Sequence, residues 1–102
     1  MTLLTTDLTT EANIPYFMWD EPITVAELTD RLRNASRPER IRLIAKILRE
    51  ARDTDVWQFV SPFEVDRIWD ELAPKLGRRR PFWEYLIASW REEGLLGRKQ
   101  AQ

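Results

Sequence analysis

The chain has no cysteine and no histidine in 102 residues. Those absences exclude disulfides, the usual thiol nucleophile, the side chain that acts most readily as a general base near neutral pH, and the two best transition-metal ligands. Three glycines are too few for a glycine-rich phosphate loop. No apolar run approaches the roughly 20 residues needed to cross a bilayer, and Met1 to Ile14 lacks the basic start and continuous apolar stretch of a secretory signal. These absences predict a cytoplasmic chain that is not an enzyme, with no metal, no cofactor and no membrane contact.

What is abundant points the other way, toward contact. Five tryptophans stand among 11% aromatic and 43% hydrophobic residues, beside 32% charged ones, enough apolar material for one small folded domain. Tryptophan and arginine are the side chains that most often anchor protein interfaces, one through a large rigid area and the other through planar bidentate contacts. The composition predicts a binding module.

The formal net charge of -1 conceals an alternation. Residues 1–30 carry six acids and no base, 31–52 eight bases and two acids, 53–74 six acids and only Arg67, and 75–102 seven bases and three acids. Consecutive helices of opposite sign attract when packed as neighbours. The alternative is a bipolar surface with separate acidic and basic docking faces.

Local signals predict an all-α fold: a compact irregular bundle of about four helices with an extended N-terminal arm. The threonine-rich start has no sustained period, which predicts a mobile tail at 1–13, a single helical domain at 14–96 and a C-terminal tail at 97–102. Tyr16-Phe17-Met18-Trp19, bounded by Pro15 and Pro22, is too short for a helix and must cover either its own core or a partner. Thr24 with Glu27 forms a capping box, and Ile23 with Leu28 a hydrophobic staple, opening a helix to about Ala35. Ser36 with Glu39 repeats the box for a helix to about Asp53, with Ile41, Ile44, Ile47, Leu48 and Ala51 inward and Arg42, Lys46, Arg49 and Arg52 outward. Ser61-Pro62-Phe63-Glu64 opens a third helix that weakens at Pro74, with Gly77 able to supply a left-handed stop. A fourth runs from about Pro81 to Gly94, with Trp83, Leu86, Ile87 and Trp90 as its stripe. No window alternates with period two for long enough to predict a strand.

Arg78, Arg79 and Arg80 crowd the uncapped start of that last helix, where the macrodipole is already positive. They need an anionic partner, either Asp66, Asp70 and Glu71 from within or an external surface. Asp66 and Asp70 share a face, but two carboxylates without histidine are a poor metal site. Most tryptophans fall on core stripes, whereas Trp19 and Trp57 lie outside strong periodicity. The candidate partner-binding residues are Trp19, Trp57, Arg78, Arg79, Arg80 and Trp83.

The stretch from Leu48 to Phe59 (LREARDTDVWQF), followed by Ser61-Pro62 and by Leu76-Gly77-Arg78-Arg79-Arg80-Pro81-Phe82-Trp83-Glu84, resembles small bacterial proteins encoded beside AbiEii-type nucleotidyltransferases. The likeness covers roughly residues 40 to 96. Nucleotidyltransferases of that type are toxins of two-gene toxin–antitoxin systems, so the resemblance implies an antitoxin-like companion that binds the enzyme. The familiar AbiE antitoxin is larger and carries a winged-helix DNA-binding region, which this sequence lacks. Two other functions stay open: a small nucleic-acid-binding module using the arginine-rich patches, and a self-associating adaptor whose Tyr16 to Trp19 arm docks on a second copy.

Overall fold

The computed structural model describes residues 4–95, and the fold is all-α. Six α-helices occupy the described residues: α1 Val25–Asn34, α2 Arg37–Glu50, α3 Asp53–Val56, α4 Pro62–Arg67, α5 Trp69–Leu72 and α6 Arg80–Glu92, with 3₁₀ turns at Tyr16–Met18, Ala73–Lys75 and Gly77–Arg79. The one extended pairing joins β1 (Leu4–Thr5) to β2 (Ile14–Pro15) in parallel, Leu4 opposite Ile14. No period-two signal marks it, because two residues are too few to show one.

The start of the chain departs from the expected tail. Leu8 is buried in the core, and Asp7 organises a turn by accepting hydrogen bonds from the backbone N–H and hydroxyl groups of Thr9 and Thr10, which hold its carboxyl down at about 2. The next residues cap α1. The first N–H groups of a helix lack internal partners; here Val25 N–H donates to the Asn13 carbonyl (2.8 Å) and Ala26 N–H to that of Glu11 (3.1 Å). Glu27 N–H then donates to the Thr24 hydroxyl, and the Glu27 carboxylate accepts from the Thr24 N–H, both at 3.1 Å, completing the expected capping box. Positions 1–3 of the predicted tail, and the whole predicted tail at 97–102, lie outside the described residues.

The helix α2 is the centre of the molecule. Its expected stripe is buried, but so are Leu43, Ala45 and Lys46, because the N-terminal arm and α5 cover flanks that a two-sided pattern assigns to solvent. The Ser36 capping box does not form. Glu39 instead accepts from Arg42 Nε and a terminal nitrogen, both at 2.8 Å, a charge-assisted pair stronger than a bond to a neutral N–H. The Ser61 hydroxyl does cap α4, accepting from Glu64 N–H at 3.2 Å. The third predicted helix divides at Ile68 (φ -107°, ψ 19°), so that α4 packs on α6 through Arg91 and Asp66 while α5 turns to α2 through Glu71 and Arg37.

Gly77 has φ +53°, the left-handed conformation expected of it, and nothing lies within 4 Å of where a Cβ would stand. Gly77→Ala is therefore a test of backbone strain without steric clash: a loss of about 1 kcal/mol is expected, measured by urea denaturation. At the end of α6, Gly94 has φ +76°, and the Leu95 and Gly94 N–H groups return to the Trp90 and Arg91 carbonyls at 2.9 and 3.1 Å. That is the Schellman arrangement, which satisfies carbonyls a helix end leaves open.

Candidate protein-binding surface

The charge alternation of the sequence is spent largely inside the molecule. Bases of α2 pair with acids of both flanking blocks: Arg42 with Glu21, Lys46 with Asp20 and Glu21, Arg40 with Glu64, and Arg37 with Glu71. Arg91 of the last block pairs with Asp66. The basic outer face expected for α2 is therefore not free. Arg42 is bidentate on Glu21 (3.0 and 2.7 Å), Arg49 donates to the Lys75 carbonyl at 3.1 Å, and the Arg52 guanidinium lies 5.4 Å from the centroid of the Tyr16 ring.

The arm uses these pairs to hold one side chain outward. Phe17 and Met18 insert into the core at 1% and 0% exposure, with Phe17 edge-on to Phe59 at 5.7 Å. Tyr16 is fixed at its hydroxyl, which accepts from Arg52 N–H (2.8 Å) and donates to the Asp55 carboxylate (2.6 Å); burial, the largest influence, raises its pKa. On the far side of Trp19, Asp20 binds the ammonium of Lys46, and Glu21 binds both Lys46 (3.2 Å) and Arg42. The Arg42 hydrogen bonds, with help from Lys46, lower the Glu21 carboxyl to about 2. Trp19, gripped on both sides, is 65% exposed.

The other candidates separate. Trp83 is fully buried and donates from Nε1 to the Leu48 carbonyl at 2.8 Å, so it cannot touch a partner and is withdrawn as a contact. Trp57 is half-buried, edge-on to Trp83 and tilted against Trp90, each at 5.7 Å. Arg79 is structural: it donates to the Ala51 carbonyl at 3.3 Å, and its guanidinium lies 5.2 and 5.6 Å from the Phe82 and Trp83 centroids. Asp66 and Glu71, expected to neutralise the arginine cluster, are engaged by Arg91 and Arg37 instead. Arg80 reaches only Glu84 of its own helix, at 3.6 Å. Arg78 is exposed and has no acidic partner among the described residues.

Residues that the candidate set omitted are also at the surface: Tyr85 is 71% exposed and Phe82 38%. Their signal was their position beside, rather than on, the Trp83–Ile87–Trp90 stripe. On α2, Arg42, Lys46 and Arg49 occupy one stripe, which places the Trp19 turn a single helical turn from a hollow of about 340 Å³ lined by Arg49, Glu50, Leu76, Arg78 and Arg79. A second hollow, of about 400 Å³, opens among Arg37, Pro38, Ile41, Glu71, Pro74 and Lys75. Among the described residues no group of three or more acidic side chains could hold a metal ion, and no helix is long and apolar enough to cross a membrane. No family model matches the chain, and neither a curated protein nor a solved structure matches it.

Proposed function

We propose that this chain is a non-enzymatic, cytoplasmic protein-binding module that docks on a partner through Trp19, with Arg78 and the hollow beside it at the rim. The observation carrying this is the display of Trp19: buried side chains before it and ion pairs after it hold an exposed indole in one place. Pre-ordering a large rigid side chain removes most of the entropy cost of fixing it in an interface, and such anchors dominate binding energy. The partner named by the sequence resemblance is an AbiEii-type nucleotidyltransferase encoded nearby, which the chain would restrain as its antitoxin-like companion.

Co-expression with that neighbouring enzyme tests both statements. The expected result is a stoichiometric complex and restored growth. Trp19→Ala is expected to weaken the complex by roughly 30-fold or more, the range of an interface anchor, while leaving the melting temperature of the free chain nearly unchanged because the side chain is exposed. Neither complex nor growth effect would remove the companion function. Wild-type affinity in Trp19→Ala would remove the docking site while leaving the partner standing.

The nucleic-acid alternative loses its main surface, since Arg42 and Lys46 are held by carboxylates and Arg79 by the core. Its remaining test uses Arg78→Glu: salt-steep binding to single-stranded DNA, abolished by that change, would favour it.

A further inference from the structure

The charges of α6 run against its own macrodipole. Arg78, Arg79 and Arg80 stand at its positive N-terminal end, and Glu92 and Glu93 at its negative C-terminal end, where each sign is disfavoured. Arg91, the one base in the last turn, is drawn away to Asp66. Arg78, Glu92 and Glu93 are exposed and have no ion-pair partner among the described residues.

Between those ends runs an exposed stripe. Phe82, Tyr85, Ser89 and Glu92 follow one another at spacings of three, four and three, which is the seam spacing of paired helices, and Arg78 lies one turn ahead of Phe82. The helix faces the core with Trp83 and Ile87, so this stripe points away from the domain.

We infer that α6 is the contact surface for a second copy of this chain, packed antiparallel about a two-fold axis passing between Tyr85 and Leu86. The register is self-complementary, as a two-fold interface requires. Arg78 of each copy falls opposite the partner copy's glutamate at position 93, Phe82 opposite the small Ser89, and Tyr85 opposite Leu86. Each helix then presents its arginines to the other's carboxylates, and the two macrodipoles oppose one another. Both unfavourable helix ends are relieved by one pairing. The surface is separate from the Trp19 turn, and the inference stands whether or not a nucleotidyltransferase is the partner.

A 13-residue helix is about 20 Å long, so the shared area falls at the small end of specific interfaces. The dimer is accordingly weak, with a dissociation constant of about 10–500 µM. Sedimentation equilibrium of the full chain from 5 µM to 1 mM should show the mass rising from 12.2 kDa toward twice that value, less so in high salt. Tyr85→Glu, at an exposed position that leaves the fold intact, should abolish the rise. Arg78→Glu and Glu93→Arg should each weaken association by about 10-fold, and the double variant should recover it, because the swapped charges meet again across the axis. A mass that stays at one chain up to 1 mM would overturn the inference. So would association that is insensitive to Tyr85→Glu, or single-variant losses that the double variant does not restore.

Discussion

Trp83→Ala is expected to cost about 3–5 kcal/mol, a large part of the stability of a domain this size. Trp83 is completely buried on α6, and its indole is in edge contact with Trp57 and Phe82 and beside the Arg79 guanidinium. Its Nε1 satisfies the Leu48 carbonyl in the last turn of α2. Truncation to alanine opens a cavity and also leaves that carbonyl without its partner. Trp83→Phe separates the two effects: it keeps much of the packing but loses the donor, and a smaller loss of about 1–3 kcal/mol is expected. Urea denaturation of the two variants checks both values. Equal losses in alanine and phenylalanine would mean that the hydrogen bond, rather than the volume, carries the effect.

The contrast between Trp83 and Trp19 shows what the sequence could reveal. Trp83 falls on a period of 3.6 with Ile87 and Trp90, so its burial followed from the pattern. Trp19 has no period around it, and its exposure depends on partners that come from a helix more than twenty residues away. The capping signals at Thr24 and Ser61 were legible because their partners lie three residues off. The same signal at Ser36 failed, since Glu39 had a better partner in Arg42 and a local motif has no information about Arg42's orientation. Lys46 was assigned to solvent because helical spacing places it with Arg42 and Arg49; only the arm folding back over α2 buries it. The alternating charge blocks did contain this information, as attraction between neighbours, but not which acid meets which base. The division of the third helix at Ile68 is likewise tertiary, set by the different neighbours to which α4 and α5 are tied.

The clamp on Trp19 is expected to make the display acid-labile, with a sign fixed by its pKa values. Glu21 lies at about 2 in the folded chain against an ordinary 4.5, and Asp20 and Glu39 are also lowered, by Lys46 and by Arg42 respectively. The unfolded chain therefore binds more protons through the window between those values, and stability must fall as pH drops through it. The contribution is fully present above about pH 5 and is lost toward pH 2. Glu21 is partly exposed and Arg42 about half exposed, so screening leaves roughly 1–2 kcal/mol from Glu21. Arg42→Met should flatten the stability profile between pH 5 and 2, measured by urea midpoints at each pH, whereas an unchanged slope would place the acid sensitivity elsewhere. Lys46 supplies the functional half of the test. Its ammonium is shielded at 5% exposure, so Lys46→Met keeps the packing of the stem while releasing Asp20. Thermal stability should fall by no more than about 1 kcal/mol, yet the partner should bind several-fold more weakly, because Trp19 is still present but no longer held. An affinity equal to wild type would mean that the indole docks without being pre-positioned, and that the Lys46–Asp20–Glu21 contacts serve the fold alone.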